Sequence, residues 1–562
     1  GVRLVGSEMC IRDRDESVYS TEKISTGLAV SLETDQSSTR QFTILIRYLG
    51  AFDSLQEIAV FPIVPLLNRF AVGTASKEEI LRLAYMPEVL YIDLTRQMEY
   101  EQAVQAEDRI AACFPMYDEQ ESVLRGNGIL IGIVDSGLEF MHPALITQDG
   151  KSRIVAYWDQ SQTGIPPEPY GFGTEYSANQ IQSVVSEGTD RRYDTSGHGT
   201  AVASILTALS PGASLIGVAS RPNTAAFLCA VDYIVRYAMQ QRLPLVLNLS
   251  YGNNYGDHYG NSIVEQYLDA LRANGKVTIV TGMGNEGNTG RHRYIGGNTA
   301  QTVGILVGDG LLTFSLQLWF APATAFLFRI QAPAGQATTY IPSQNAGEFY
   351  SFVLATTQIS IQIGQATPFN PRREIFIVFR GTVIPYGYWS LSIQPYFDQP
   401  YQIDAWLPVA SSTQATVEFE VPTTDLSLTI PASASNVISV GAYNGARLSV
   451  APFSGKGSAA IQKPDLVAPG VDILAANASG GYRLFSGTSF ATPFVASAAA
   501  NLMQWGITDG NDSFLYGARV KAYLINAARA LPGSNQIPNP SEGWGRLCAN
   551  ASVPRYNPPI LS

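Results

Sequence analysis

The sequence predicts an α/β fold: a doubly wound parallel sheet interrupted by an antiparallel β unit. Three observations carry this prediction. Largely apolar runs at Ile129–Val134, Leu245–Leu249 and Val277–Thr281 alternate with helical stretches at 225–241 and 262–273. That is the grammar of strands covered on both faces in a parallel sheet. From about Asn288 to Ile430 the pattern changes to period two, as in Phe314-Ser315-Leu316-Gln317-Leu318 and Ile359-Ser360-Ile361-Gln362-Ile363. Such alternation marks antiparallel strands with one face in a core, and here it predicts a sandwich or jelly roll. At Pro431 the first grammar resumes, through Asn436-Val437-Ile438-Ser439-Val440-Gly441.

In chain order, residues 1–20 are expected to be an unstructured or extraneous tail. Gly1 to Arg14 fit nothing downstream, and the N-terminus shows neither an initiator Met nor an apolar signal core. Residues 21–100 read as a small α/β unit. Phe42–Tyr48 and Phe70–Gly73 are strand candidates, and Ser76-Lys77-Glu78-Glu79 is a capping box opening a helix through Ile80, Leu81 and Leu83. Pro87 lies beyond that helix and Val89–Ile92 closes the unit; the polar segment Thr95–Gln105 follows. Residues 101–290 hold the first part of the parallel sheet. Its first strand runs into Asp135-Ser136-Gly137, and a long irregular stretch then leads to Thr195-Ser196-Gly197-His198-Gly199-Thr200. Later strands end in Ser250-Tyr251-Gly252 and in Gly282-Met283-Gly284-Asn285-Glu286-Gly287. Residues 291–430 form the antiparallel insertion. Residues 431–562 complete the α/β part, with a small-residue helix after Ser489 and a last helix at 517–530.

Composition sets the class. A chain of 562 residues is too long for one core, and 46% hydrophobic with 15% charged residues is the balance of a folded, water-exposed protein. Thirty-six basic against 47 acidic side chains leave a net charge of −11, which argues against nucleic acid or an anionic membrane as partner. No stretch reaches the roughly 18 apolar residues of a membrane span. The cysteines Cys10, Cys113, Cys229 and Cys548 lack metal-ligand spacing. They predict no disulfide framework, and Cys229 reads as core packing. No calcium-loop motif is present, so no metal ligand and no cofactor are assigned.

The chemistry concentrates around Phe485-Ser486-Gly487-Thr488-Ser489-Phe490-Ala491-Thr492-Pro493. Gly487 lets a polypeptide approach closely, and Ser489 falls at a helix N-terminus, with Pro493 expected in the first turn. Taken alone, Ser489 also fits an ordinary helix cap. Of the four histidines, His198 has glycines on both sides and a helix after it, whereas His142 precedes Pro143 and His258 and His292 lie in polar loops. Alone, it too fits a structural role. Asp135 stands at a strand's carboxyl end, where open α/β sheets bind ligands. Together, in the order Asp135, His198, Ser489, they make the constellation of an acyl-transfer triad. Ser489 Oγ needs a base to remove its proton, His198 titrates in the right range to take it, and Asp135 would fix the imidazole tautomer.

Asp-Ser-Gly, His-Gly-Thr-Ala-Val-Ala-Ser and Ser-Gly-Thr-Ser-Phe-Ala-Thr-Pro resemble the three catalytic blocks of the subtilases. The resemblance covers about 126–288 and 431–550. It implies a subtilisin-like fold and a serine endopeptidase acting on polypeptides, with Asn285 and the Ser489 backbone N–H as oxyanion donors. It also implies substrate contacts at Ser250, Tyr251, Gly252, Gly282, Met283, Gly284 and Thr488. The unit at 21–100 is similar to the ferredoxin-like propeptides that chaperone such enzymes and block their active sites; an unrelated accessory domain is the other reading. Trp158-Asp159-Gln160 and the insertion resemble the Csp spore-germination subtilases, implying a retained propeptide, a zymogen target and a cytoplasmic or spore-associated setting. The alternative from that group is a propeptide-occluded pseudoprotease that signals by binding. A third possibility, carbohydrate binding by the insertion, would use Trp319, Tyr386, Tyr388, Trp389 or Trp406, residues that also suit a sandwich core.

Overall fold

The computed structural model describes residues 23–35, 40–58, 61–100, 111–189, 191–367, 369–396 and 399–554. The expected tail and the 101–105 part of the polar segment lie outside them. Four strands, β1 (Gln41–Tyr48), β2 (Ile63–Leu66), β3 (Phe70–Ser76) and β4 (Val89–Leu94), form an antiparallel sheet ordered β2-β3-β1-β4. Helices α1 (Thr26–Thr34), α2 (Phe52–Ile58) and α3 (Lys77–Tyr85) accompany it. Ser76 and Glu79 cap α3 reciprocally, so the capping box acts as the sequence indicated. Alternation gives this sheet two jobs. Ile44 and Ile46 face its own helices, while Leu45, Phe70 and Val72 join the core built on the helices of the main sheet.

After a short strand β5 (Glu99–Tyr100), the main sheet follows: β6 (Leu130–Asp135), β7 (Ile154–Asp159), β8 (Thr174–Ser177), β9 (Ser214–Ala219) and β10 (Leu245–Leu249). With β11 (Tyr251–Gly252) set apart, it continues through β12 (Val277–Gly282) and Val437–Asn444. Its order is β8-β7-β9-β6-β10-β12, then Val437–Asn444, with Leu466–Pro469 paired beyond. β6 is buried along its whole length, Ile131 and Ile133 on one face and Leu130 and Val134 on the other. Helices α5 (His198–Leu209) and α8 (Thr488–Met503) cover the first face, α6 (Thr224–Gln241) and α7 (Ile263–Ala270) the second. The stretch expected to be irregular contains β8 and a helix, α4 (Ala178–Glu187), capped reciprocally by Ser177 and Gln180.

Between His292 and Phe419 lie a six-stranded and a five-stranded antiparallel sheet that enclose one apolar core. Trp389 is inside it; Tyr386 and Tyr388 are exposed. Trp319 and Trp406 pack instead with Met283 at the junction with the main sheet. There His258 and His292, expected in polar loops, are buried and stacked against the Trp406 ring, at centroid distances of 4.2 and 4.8 Å. Docking of the insertion onto the loop after β11 buries them, an event that local polarity does not reveal.

One cysteine expectation is corrected. Cys113 and Cys548 form a disulfide across a sequence separation of 435. The bond depends on two distant segments that only the fold brings together, as backbone bonds Ala549 N–H to Ala112 O and Asn550 N–H to Cys113 O show. Cys229 is buried, as expected. No helix among the described residues is long and apolar enough to cross a membrane.

Candidate active site

Asp135 ends β6, between β9 and β10, at the carboxyl edge of the sheet. The side chain is buried, and its Oδ1 lies 2.7 Å from His198 Nδ1. A carboxylate oxygen only accepts, so Nδ1 carries the proton and Nε2 is left as the basic nitrogen. His198 opens α5 after Gly197 in the left-handed region, φ 79°. Gly199 allows the approach, for a Cβ there would fall 2.2 Å from Gly137 O.

A residue the motif reading passed over holds these blocks together. Asp194 accepts from Ser136 Oγ (2.7 Å) and Gly197 N–H (2.8 Å) on Oδ1, and from Thr200 N–H (2.8 Å) and Thr200 Oγ (2.6 Å) on Oδ2. Ser136 Oγ in turn accepts from Gly199 N–H at 3.0 Å. Burial pushes the Asp194 carboxyl up, against the pull of these bonds. Its signal was the acidic side chain four residues before His198.

Ser489 is the second residue of α8, in the first turn, where the neighbouring Phe490 N–H donates to Gly487 O at 3.1 Å. The His198 ring packs on the neighbouring Phe490 ring at 5.2 Å. Asn285 Oδ1 accepts from Thr488 N–H at 3.1 Å, which leaves the amide N–H₂ as the end available for another partner. Pro493 corrects an expectation, for it sits in the second turn rather than the first. It therefore deprives the Ser489 carbonyl of its helical donor, and Ser250 Oγ donates to that carbonyl instead, at 3.4 Å.

Several predicted substrate contacts turn their side chains inward. Ser250, Tyr251, Met283 and Thr488 are all buried. Tyr251 O–H donates to Ser220 O, and Thr488 Oγ1 accepts from Gly284 N–H. Between them the backbone of these strands runs through Gly252, Gly282 and Gly284, which are buried as well. On this edge β5 pairs antiparallel with β11, Tyr100 opposite Tyr251 and Glu99 opposite Gly252. Upstream, Met98 N–H donates to Pro222 O and Thr224 N–H to Arg96 O.

This chain belongs to the subtilase family, whose model matches residues 126–309 and 402–545. Its structure is similar to that of the CspB protease of Clostridium perfringens, with a TM-score of 0.72 and 28% identity over 79% of this chain and 96% of that one. Among curated relatives, it is 48% identical over 108 residues to the subtilisin-like serine protease Pen ch 13 of Penicillium rubens, covering 19% of this chain and 25% of that protein. It is 34% identical over 125 residues to the membrane-bound transcription factor site-1 protease of Mus musculus, covering 21% and 11%. The chain thus spans between 11% and 25% of the length of these two relatives.

Proposed function

We propose that the chain is a serine endopeptidase in which Ser489 attacks the scissile carbonyl and forms an acyl-enzyme. His198 Nε2 takes the Ser489 proton and returns it to the leaving amine, and Asp135 stabilises the imidazolium. Asn285 and the Ser489 N–H receive the oxyanion. The observation that carries this reading is the Asp135–His198 hydrogen bond, at 2.7 Å, beside the turn that presents Ser489.

The four-stranded N-terminal unit is a ferredoxin-like propeptide, chaperone and intramolecular inhibitor in one. Support comes from β5, which lies on β11 as an antiparallel peptide would. Self-cleavage falls in the segment that holds this strand, near residues 95–105. The insertion is a jelly roll that braces propeptide and catalytic unit. A protein zymogen of spore germination as the physiological target rests on the resemblance of Trp158-Asp159-Gln160 and the insertion to the Csp spore-germination subtilases, to one of whose structures this one is similar.

Intact mass of the protein beside its Ser489→Ala variant tests the assignment, together with fluorophosphonate labelling. The expected result is a split near residues 95–105 and a labelled Ser489 in the wild type, and neither in the variant. A whole, unlabelled wild type would sink it and leave a propeptide-occluded binding protein.

A further inference from the structure

The segment returning from the insertion passes directly behind the strands assigned to substrate. Thr429 N–H donates to Met283 O at 3.0 Å; Ile430 N–H donates to Asn253 O at 2.8 Å, and Asn253 N–H to Ile430 O at 3.1 Å. This short stretch laces the β11 edge to the Gly282–Gly284 edge. One side chain stands between the two edges. A Cβ on Gly252 would fall 2.4 Å from Thr429 Oγ1, and a Cβ on Gly284 would fall 2.5 Å from the same oxygen. Thr429 is 3% exposed, and its Oγ1 is buried without a hydrogen-bond partner among the described residues.

Three physical points follow. Both walls are glycine, so a substrate side chain inserted between them meets no obstacle until it reaches Thr429. That residue cannot retreat, because its own N–H and that of Ile430 are bonded to the two walls. A buried hydroxyl without a partner is costly, and valine would fill the same space more cheaply. The hydroxyl is therefore explained best as a contact for an incoming polar group.

We propose that Thr429 closes the primary specificity pocket, limits it to small side chains at P1, the residue on the acyl side of the cleaved bond, and favours serine there over alanine. The proposal rests on Ser489 being the nucleophile. A serine hydroxyl at P1 supplies the partner that Thr429 Oγ1 lacks; leucine or phenylalanine would have to displace a hydrogen-bonded backbone.

The test uses the full chain and two kinds of probe. A simple fluorophosphonate reads the nucleophile, and peptidyl phosphonates differing only in P1 read the pocket through the rate of Ser489 labelling. Wild type should react with Ala and Ser probes at least ~10-fold faster than with Phe, the scale on which apolar pockets discriminate size. Thr429→Gly should raise the Phe-to-Ala ratio at least ~10-fold. Thr429→Val should keep the size limit and abolish the preference for Ser. A chain that reacts with the fluorophosphonate but takes Phe as fast as Ala overturns the Thr429 assignment alone, as does an unchanged ratio in Thr429→Gly. No reaction with the simple probe, in a chain that also stays whole beside its Ser489→Ala variant, overturns the nucleophile, and the pocket reading with it.

Discussion

Asn285 and Asp194 show two ways in which one side chain can serve the same chemistry. Asn285 would touch the reacting atoms, because Thr488 N–H holds its Oδ1 and so orients the amide. Asn285→Ala should lower kcat by roughly 10²–10³ with little change in KM, a range that comes from subtilisin itself. Equal falls in kcat and binding, measured by steady-state kinetics, would remove it from the oxyanion site. Asp194 acts at one remove, since its two oxygens bind the turns that carry Asp135 and His198. Asp194→Asn sets an N–H₂ against donors and should cost about 1–3 kcal/mol of stability, read by denaturant unfolding. Asp135, His198 and Ser489 were legible in the sequence because glycines and strand ends frame them. Asp194 was not singled out, because an aspartate in a polar loop looks like any turn residue until its four donors converge.

At the scale of elements, the informative junction is where strand Arg373–Gly381 of the insertion meets the N-terminal unit. The Arg96 guanidinium lies 4.8 Å from the ring centroids of both Tyr255 and Phe376, tying three parts of the chain. Glu374, buried at the same junction, has Arg96, Asp93 and Asp257 as its charged neighbours. Burial pushes its carboxyl up to about 8, with Arg96 opposing the shift and the two aspartates adding to it. In the unfolded chain it titrates near ~4.3. The folded state holds the proton longer, so this group's favourable contribution is complete below about pH 4, declines as pH rises and is lost above about pH 8. Glu374→Gln should therefore show a Tm advantage over wild type that grows between about pH 5 and pH 8 and then levels. An advantage independent of pH in calorimetric scans would contradict the buried carboxyl. Elements with strong periodicity, such as α6 and β6, were visible in the sequence. Helix α4 was overlooked although Ser177 and Gln180 carry its cap signature, because Pro- and Gly-rich neighbours masked its short periodic face.

Over the whole molecule, the Cys113–Cys548 bond ties the segment after the proposed cleavage zone to the C-terminal region. Tyr117 N–H reinforces it by donating to Asn550 Oδ1 at 3.0 Å. Reduction, or the paired change Cys113→Ser and Cys548→Ser, should destabilise the protein by about 2–4 kcal/mol, seen as a lower Tm. An identical Tm with and without reductant would show that the bond does not constrain the chain in solution. The sequence by itself determined the parallel sheet, the antiparallel insertion and the three catalytic candidates, since these follow from local periodicity and from motifs a few residues long. Only the tertiary structure decided the rest: the disulfide, the burial of His258 and His292 against Trp406, the clamp at Asp194 and the hydroxyl of Thr429 between two glycines. Each joins residues from separate parts of the chain. Such contacts are fixed by how finished elements pack against one another, which no local pattern encodes.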